Sequence, residues 1–227
     1  MSEAARALRT LFPEPVIALT ATEAAQAEEH WLHPEEEACI VRAGAKRRRE
    51  FSAGRSAARR ALAQLGVEGF ALLADADRVP RWPEGVVGSI SHCAGCCAVA
   101  VVRRGRILSL GLDVELAEPL EDELVARVCT PRERERASAL APPVGVDWGK
   151  LVFSAKESAY KCYFPVARTL LGFQDMEIEF SPGASRFSAR LLRDSAPDAG
   201  GARRFEGRAA WSRDFVFAGV VLEAQPR

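Results

Sequence analysis

The sequence predicts an α+β fold in which both halves of the chain combine helices with antiparallel strands. Amphipathic helical patterns occur at residues 47–65 in the first half and at residues 148–161 in the second. Strand-like runs bounded by turn residues occur between residues 86 and 114 and again between residues 176 and 222. We expect the chain to divide near residues 104–109, into an N-terminal half (1–106) and a C-terminal half (107–227). No linker there is rich enough in glycine, proline or serine to free the halves, so we expect them to pack together.

The composition is that of an ordinary globular protein. The chain has 227 residues, of which 48% are hydrophobic and 27% charged, and its formal net charge is zero. A neutral chain lacks the basic excess from which nucleic-acid binders gain affinity, so we expect no nucleic-acid partner. The one long uncharged run, residues 85–102, is interrupted by Ser89, Ser91, His92 and three glycines. It predicts two strands and no membrane span.

The cysteines predict a reducing compartment. Six are scattered along the chain and the polar N-terminus has no signal-peptide pattern, so we expect free thiols and a cytoplasmic location. Cys93, Cys96 and Cys97 lie close together, but a structural zinc site needs a second pair of ligands at suitable spacing, and none is evident. We assign these three cysteines packing roles.

Residues 22–42 are mostly helix-forming but broken at Pro34, and two helices are expected from Pro34 onward. Pro34 is followed by three glutamates, a combination typical of the start of a helix. The segment 47–65 is the clearest amphipathic helix, and Gly66 is expected to end it. Its apolar stripe consists of Phe51, Ala58, Leu62 and Leu65.

The second of these helices lies in a strongly basic segment. Residues 42–60 contain eight basic residues and a single acid. On the helical wheel Arg47 and Arg55 border the apolar stripe and Arg48 lies beside Arg55, so we expect these three to face a cleft. The alternative is a solvated basic face or a localisation signal. That interpretation is accepted for the two arginines on the far side of the wheel, Arg49 and Arg60.

A pair of carboxylates lies at the end of the strand predicted at residues 107–114. The two-residue period of a strand places Asp113 and Glu115 on one face, about 6 to 7 Å apart, and turns Val114 into the core. Carboxylates this close repel unless a cation lies between them, and magnesium commonly takes one or two carboxylates together with substrate phosphates. The alternative is two solvated acids at a strand end, and the pair alone does not decide between these interpretations.

Further helices and strands complete the second half. Residues 120–128 predict a helix, and Thr130 with Glu133 forms a capping box that starts another. Alternation and turn residues predict four antiparallel strands. They lie at residues 176–180, 187–192, 205–211 and 215–222.

The helix around residues 153–161 carries a second chemical signal. Glu157 and Lys161 are four residues apart and project together from the face opposite its apolar stripe. Aromatic rings surround them, which is unexpected for a face that is only solvated. These rings belong to Phe153, Tyr160 and Phe164. The alternative is an ordinary surface ion pair worth roughly 0.2–0.5 kcal/mol.

Three ordered motifs resemble those of a known family. They read S-I-S-H-C at residues 89–93, G-L-D-V-E at 111–115 and W-x-x-L-x-F-S-A-K-E-S-x-Y-K at 148–161. Together they are similar to the motifs of 4′-phosphopantetheinyl transferases of the large type, which includes surfactin-synthetase-activating and enterobactin-synthetase component D-like enzymes. The resemblance extends from about residue 46 to residue 180. It implies two similar α+β halves, related by a pseudo-twofold axis, with the active site at their junction.

The resemblance also implies a reaction. Coenzyme A is the implied substrate, and its 4′-phosphopantetheine arm is transferred to a serine of an apo acyl or peptidyl carrier protein, with release of 3′,5′-adenosine bisphosphate. Asp113, Glu115 and Glu157 are the implied ligands of Mg²⁺ or Mn²⁺. Glu157, or a water that it orients, is the implied general base. Lys161 would stabilise charge on the diphosphate, and Lys156 would add a phosphate contact from the helix margin.

A separate cationic pocket is implied for the 3′-phosphate of coenzyme A. Arg47, Arg55 and His92 occupy the matching positions, and guanidinium groups suit phosphate oxygens. Without its flanking motif, His92 would be interpreted as a satisfied core histidine. Secondary candidates for phosphate contacts are Arg48, Arg78 and Ser91.

The implied partner is a carrier domain of polyketide, nonribosomal-peptide or fatty-acid synthesis. Such domains present an acidic helix after the modified serine, so a basic or apolar rim is expected near the cleft, with Phe164, Pro165 and Arg168 as candidates. Because one chain supplies both halves, we expect a monomer. Two alternatives stay open: a non-catalytic coenzyme A or nucleotide-binding module, and an interaction protein whose charged helices are merely solvated.

Overall fold

The computed structural model describes residues 2–22, 31–137 and 145–224. Within these ranges it contains six helices, α1 (Glu3–Arg9), α2 (Pro34–Cys39), α3 (Ala45–Gln64), α4 (Asp122–Val128), α5 (Pro131–Ala137) and α6 (Trp148–Ala167). It also contains eight strands, β1 (Ile17–Thr22), β2 (Val86–Cys93), β3 (Cys96–Arg103), β4 (Ile107–Leu116), β5 (Met176–Phe180), β6 (Arg186–Leu191), β7 (Arg204–Trp211) and β8 (Phe215–Glu223). The predicted α+β class is confirmed. None of the helices in these ranges is long and apolar enough to cross a membrane.

The strands form two sheets. The first has the order β1-β3-β2 and the second the order β4-β8-β7-β6-β5, with every neighbouring pair antiparallel. The predicted boundary between residues 106 and 107 lies in the connection from β3 to β4. It therefore separates the strands of one sheet from those of the other.

The two halves repeat one arrangement around a central helix. α3 packs against the first sheet and α6 against the second. The pattern F-S-A-x-x-S-A occurs in α3 at residues 51–57 and again in α6 at residues 153–159. Aligned through this pattern, Arg55 of α3 corresponds to Glu157 of α6. The pseudo-twofold relation implied by the resemblance thus extends to the sequences of the two central helices.

Each half also has a buried glutamate at the third position of a short helix. Glu36 in α2 is fully buried and accepts a hydrogen bond from the backbone N–H of Leu72 at 2.9 Å. Glu133 in α5 is fully buried and accepts one from the backbone N–H of Ile178 at 2.6 Å. Glu133 also closes the capping box predicted at residues 130–133. In each half the buried carboxylate thus connects a short helix, α2 or α5, to the segment that follows the central helix, α3 or α6.

Side chains of β2 join the two halves along β4. Ser89 Oγ accepts a hydrogen bond from the backbone N–H of Leu112 at 3.0 Å, and Ser91 Oγ donates one to Oδ1 of Asp113 at 2.9 Å. Because β2 and β4 belong to different sheets, these serine hydroxyls supply contacts that a strand ladder would otherwise make. As a result, the S-I-S-H-C and G-L-D-V-E motifs lie against each other.

Gly111 lets α6 lie very close to β4. A Cβ atom at this position would be 1.8 Å from the backbone oxygen of Ser158 and 2.7 Å from the backbone nitrogen of Cys162. Ser109 Oγ reinforces the same contact by donating a 2.7 Å hydrogen bond to the backbone oxygen of Cys162. Only glycine permits this approach, which carries α6 across the acidic end of β4.

The buried face of α3 differs from the predicted apolar stripe. Phe51 and Leu65 are only partly buried. The buried face consists mainly of small residues and is made by Ala53, Gly54, Arg55, Ala57, Ala58, Ala61 and Leu62. Small residues face the sheet because α3 lies close to it: a Cβ atom on Gly54 would be 3.6 Å from Ile90 and 3.7 Å from the sulfur of Cys97.

Candidate active site

A cavity of about 900 Å³ lies between the two halves. Its walls are formed by α2, α3, residues 77–90, β4 and the C-terminal part of α6. Cationic side chains outnumber the three acidic ones on these walls. They belong to Arg47, Arg55, Arg78, Arg104, Lys161 and Arg168. A cavity of this size and charge suits a phosphate-bearing organic ligand.

Lys161 lies where α6 crosses the two motif-bearing strands. Its Nζ donates hydrogen bonds to Oδ1 of Asp113 at 2.7 Å and to Oγ of Ser91 at 2.9 Å. Asp113 is only 2% exposed. Within the described residues its other oxygen, Oδ2, is buried and has no hydrogen-bond partner. Since a buried carboxylate oxygen without a partner is costly, this atom is suited to accept a cation or donor from a ligand.

Two further acids share this region of low solvent access. Burial and, second, the nearby carboxylate of Asp113 raise the pKa of Glu115 to about 7. Glu115 also lies 3.6 Å from the ammonium of Lys150. Burial raises the pKa of Glu157 as well, although the ammonium of Lys161 opposes this shift. The three acids predicted as metal ligands therefore all lie in surroundings where a negative charge is poorly solvated.

The arrangement of these acids bears on the predicted metal. Across residues 2–22, 31–137 and 145–224, no three histidine, cysteine or acidic side chains are close enough together to hold a metal ion. Lys161 neutralises Asp113 instead. Carboxylate oxygens are nevertheless the donors that magnesium prefers, and Oδ2 of Asp113 lacks a partner. The residues fit a magnesium ion by chemistry, and the ligand set Asp113, Glu115 and Glu157 stays a prediction.

Arg55 is the buried cation of the N-terminal half. It is 8% exposed, its guanidinium carbon lies 4.1 Å from the ring centre of Phe51, and its Nε lies 4.0 Å from the carboxylate of Glu36. Burial lowers the pKa of Arg55, and Glu36 opposes the shift. Nε is buried and has no hydrogen-bond partner among the described residues. Arg55 lines the cavity wall, and the phosphate contact predicted for it stays a prediction.

His92 lies between an acid and an arginine. Its Nε2 is 3.2 Å from Oε2 of Glu50 and 3.4 Å from a guanidinium nitrogen of Arg47. Burial lowers the pKa of His92, and the Glu50 carboxylate opposes this shift. Sequence reasoning placed Arg47 and His92 together but missed Glu50, although its position as the lone acid in a basic segment was a signal. Arg104 on the cavity wall was also missed, because a turn between strands gives no indication of what it faces.

The secondary candidates for phosphate contacts lie in different places. Arg78 lines the cavity, whereas Ser91 is buried beside it and bonds to Asp113 and Lys161. Arg48 donates a 2.9 Å hydrogen bond to the backbone oxygen of Ile40, so it ties α3 to α2 and its expected orientation toward the cleft is wrong. On the far side of α3 the two arginines predicted to be solvated, Arg49 and Arg60, are exposed.

Lys156 is buried within the C-terminal half. It is 2% exposed, and its ammonium donates to the backbone oxygens of Val128 and Phe173, both at 2.7 Å, and pairs with Glu133 at 2.8 Å. The expected position at the helix margin is therefore wrong, because these partners surround the ammonium. The phosphate contact predicted for Lys156 stays a prediction.

A smaller, mostly apolar pocket of about 240 Å³ adjoins Glu157. Tyr160 lines both this pocket and the large cavity, so the two are neighbours along α6. The other lining residues are Lys156, Glu157, Leu171, Gly172, Phe173 and Met176. Among the described residues, Glu157 therefore lines the apolar pocket but not the large cavity.

The residues predicted to contact a carrier also lie on the cavity wall. Phe164, Pro165 and Arg168 all line the large cavity. Arg168 is engaged with Asp75 at 2.6 Å. The predicted carrier contact of these residues stays a prediction. Among the six free cysteines, the packing roles predicted for Cys96 and Cys97 agree with their burial, whereas Cys93 is partly exposed.

Comparisons with known proteins cover both halves of this site. Residues 35–102 match the 4′-phosphopantetheinyl transferase N-terminal domain, and residues 109–210 match the 4′-phosphopantetheinyl transferase superfamily. The chain is 42% identical over 196 residues to 4′-phosphopantetheinyl transferase Svp of Streptomyces mobaraensis. The aligned region covers 85% of this chain and 79% of that protein. It is 37% identical over 194 residues to 4′-phosphopantetheinyl transferase PptT of Mycobacterium tuberculosis, covering 83% and 85% of the two chains.

Similarity also extends to enterobactin synthase component D of Salmonella typhi. Identity there is 41% over 154 residues, covering 66% of this chain and 62% of that protein. The two matched domains meet at the connection between β3 and β4, where the two sheets also divide. The coverage of both halves and the identities to these relatives show that the chain belongs to the 4′-phosphopantetheinyl transferase family.

Proposed function

We propose that this enzyme transfers the 4′-phosphopantetheine arm of coenzyme A to a serine of an apo acyl or peptidyl carrier protein and releases 3′,5′-adenosine bisphosphate. The observation that carries the proposal is the position of Lys161. Its ammonium lies at the junction of the halves, bonded to Asp113 and Ser91, on the wall of the cationic cavity. A diphosphate bound there gains charge stabilisation from a cation fixed in place before the reaction.

The cationic wall of the N-terminal half supports binding of the 3′-phosphate. Arg47 and Arg55 line the cavity together with His92, and the buried Nε of Arg55 has no hydrogen-bond partner among the described residues. Guanidinium groups bind phosphate oxygens with two parallel hydrogen bonds, which gives them orientation as well as charge. Arg78 lies on the same wall and adds a fourth cationic or ionisable group.

The chemical step requires a proton acceptor and a stabilised leaving group. The serine hydroxyl of the carrier attacks the phosphorus that bears the pantetheine arm, a new O–P bond forms, and the bond from that phosphorus to the adenosine bisphosphate oxygen breaks. Glu157, or a water that it orients, takes the serine proton. Lys161 stabilises the negative charge that develops on the leaving phosphate.

The acids of β4 and α6 would hold a magnesium ion. Asp113, Glu115 and Glu157 would be its protein ligands, and the partnerless Oδ2 of Asp113 is the observation that supports this assignment. Mn²⁺ prefers similar oxygen ligands. When bound, such an ion neutralises diphosphate charge and polarises the reacting phosphoryl group.

The cellular setting is part of the proposal. Carrier domains of polyketide, nonribosomal-peptide or fatty-acid synthesis are the proposed partners. The six free cysteines support a reducing, cytoplasmic compartment. A monomer is proposed because one chain provides both walls of the cavity.

Mass spectrometry of an apo carrier tests the function directly. The protein is incubated with coenzyme A, magnesium and several apo carriers, and the mass of each carrier is measured. We expect one phosphopantetheine to be added to a serine of at least one carrier. The absence of a mass shift on every carrier, under conditions where an authentic transferase modifies them, would overturn the proposal.

A further inference from the structure

The segment that carries Arg78 is a small, internally bonded hairpin. Residues 74 and 80 pair as an isolated antiparallel bridge. The backbone N–H of Arg81 donates to the oxygen of Leu73 at 2.8 Å, and that of Asp75 donates to the oxygen of Val79 at 2.9 Å. The tip between them includes Arg78, whose φ of 65° is in the left-handed region that non-glycine residues rarely adopt. Arg78 is thus presented at the cavity by a hairpin with a defined shape.

Asp75 organises this hairpin and also attaches it to the other half of the molecule. Its Oδ1 accepts hydrogen bonds from the backbone N–H groups of Asp77 at 3.0 Å and Val79 at 2.9 Å. Its Oδ2 accepts a 2.6 Å hydrogen bond from Arg168. The Arg168 guanidinium lowers the pKa of Asp75 and so favours its charged form. Oδ1 of Asp75 therefore stabilises the hairpin itself, and Oδ2 connects the hairpin to the other half of the molecule.

Arg168 is held in place from its own side. It is the residue that follows α6, its backbone N–H donates to the oxygen of Phe164 at 2.9 Å, and its φ of 50° is again left-handed. Its guanidinium carbon lies 5.9 Å from the ring centre of Phe164, and its Nη1 lies 3.4 Å from Oδ2 of Asp77. The end of the helix that bears Glu157 and Lys161 is therefore linked to the tip of the hairpin that bears Arg78.

We infer that Arg168 is a positioning residue: through Asp75 it fixes the hairpin so that Arg78 faces the 3′-phosphate of bound coenzyme A. This inference rests on the proposed function. Arg78 itself makes no ion pair within the described part of the chain, and its side chain lines the cavity wall that also carries Arg47 and Arg55. Without the link, the hairpin keeps its internal bonds but loses its attachment to α6, and Arg78 is presented over a wider range of positions.

The test compares coenzyme A with dephospho-coenzyme A, which lacks the 3′-phosphate. Asp75→Asn keeps a side-chain oxygen for the hairpin amides and removes the charge that binds Arg168, whereas Arg168→Gln removes the guanidinium. By calorimetry, we expect each single variant to bind coenzyme A about fivefold more weakly than the wild type. The double variant should bind it no more weakly than the single variants. The affinity for dephospho-coenzyme A should be the same in the wild type and all variants. Arg168→Lys should recover part of the affinity for coenzyme A.

Arg106→Gln is a matched control, because it removes an exposed ion pair with Glu223, neither residue of which lines the cavity, and should leave both affinities unchanged. Unchanged affinity for coenzyme A in both variants, or an equal loss for the two ligands, overturns the positioning role. The wild type is assayed for carrier modification in the same series. An active wild type with unaffected variants refutes only this inference, whereas a wild type that neither binds coenzyme A nor modifies a carrier refutes the proposed function as well.

Discussion

The Nζ of Lys161 lies 2.7 Å from Oδ1 of Asp113, so that an ammonium on α6 neutralises a carboxylate on β4 that is only 2% exposed. The same ammonium bonds to Ser91 on β2 of the other half. Because a buried carboxylate without a partner is costly, the ammonium of Lys161 offsets part of the cost of burying Asp113 at the junction of the halves. Of this pair, Lys161 lines the large cavity.

Replacing Lys161 by methionine is expected to lower the rate of transfer about 100-fold or more, because one fixed donor to developing charge is removed. The measurement is the initial rate of carrier modification at saturating coenzyme A. Arg106→Gln serves as the control for loss of a cation from an exposed surface pair. A rate for the Lys161 variant within a fewfold of the wild type would remove Lys161 from the proposed chemistry.

A methyl group at residue 111 should force α6 away from β4. The Cβ atom of Gly111→Ala would lie 1.8 Å from a backbone oxygen of α6, and backbone cannot move aside as a flexible side chain can. We expect the free energy of unfolding to fall by about 2 kcal/mol or more in chemical denaturation. Gly105→Ala is the matched control, since a Cβ there would meet nothing within 4 Å. Equal stability of the two variants would contradict the close approach.

The sequence predicted those features that depend on short-range periodicity. The recurrence of apolar residues at helical spacing predicted α6, and strand parity placed Asp113 and Glu115 on one face. The buried face of α3 was missed because it is set by how closely that helix approaches the sheet: alanines and Gly54 fit there and Phe51 does not. Periodicity does not report the distance between a helix and its sheet.

Pairings between distant residues were the part of the site that could not be predicted. Glu50 precedes His92 by 42 positions along the sequence, and Glu133 precedes Lys156 by 23 positions. The resemblance implied a position for Lys156 at the margin of α6, but α5 and the segment after α6 cover that margin. Which charges meet is decided by tertiary packing, and a single sequence contains no record of it.

Removing the buried charge of Lys156 separates its structural role from the predicted phosphate contact. Lys156→Met leaves Glu133 buried without its cation, so we expect a loss of about 3 kcal/mol or more in the free energy of unfolding. The double variant Lys156→Met with Glu133→Gln should recover part of this loss, because no unpaired charge remains. Arg204→Gln, which opens an exposed pair, is the control for surface charge. Unchanged stability together with weaker coenzyme A binding would favour the phosphate contact.

Acidification should remove the stabilising contribution of His92. Burial holds the pKa of His92 below its ordinary value of 6.5, with Arg47 and Lys161 acting in the same direction and Glu50 opposing them. Folding therefore favours the neutral ring of His92. The resulting contribution to the free energy of unfolding is fully present above the unfolded pKa of His92 and is lost as the pH falls through its lower folded pKa.

The comparison of wild type with His92→Gln isolates this group from the other titrating residues. We expect the difference in unfolding free energy between them to shift in favour of the variant as the pH is lowered from about 7 to about 5. Chemical denaturation across that range, without coenzyme A, measures it. A difference that does not change with pH would mean that the folded protein does not disfavour the charged ring.

Exchange of Glu157 for glutamine distinguishes catalysis from binding. Within the part of the chain that the structure describes, the Glu157 carboxylate makes no hydrogen bond or ion pair, so Glu157→Gln should retain the fold. Glutamine has the same shape but cannot take the serine proton, and we expect transfer to fall about 100-fold or more. Coenzyme A should still bind, because the cationic wall of the cavity is untouched. Glu118→Gln, at an exposed acid, is the control. If the Glu157 variant transfers as fast as the wild type, another group must accept the proton. If the wild type and the variant both bind coenzyme A but transfer nothing to any apo carrier, the protein is better described as a non-catalytic binding module.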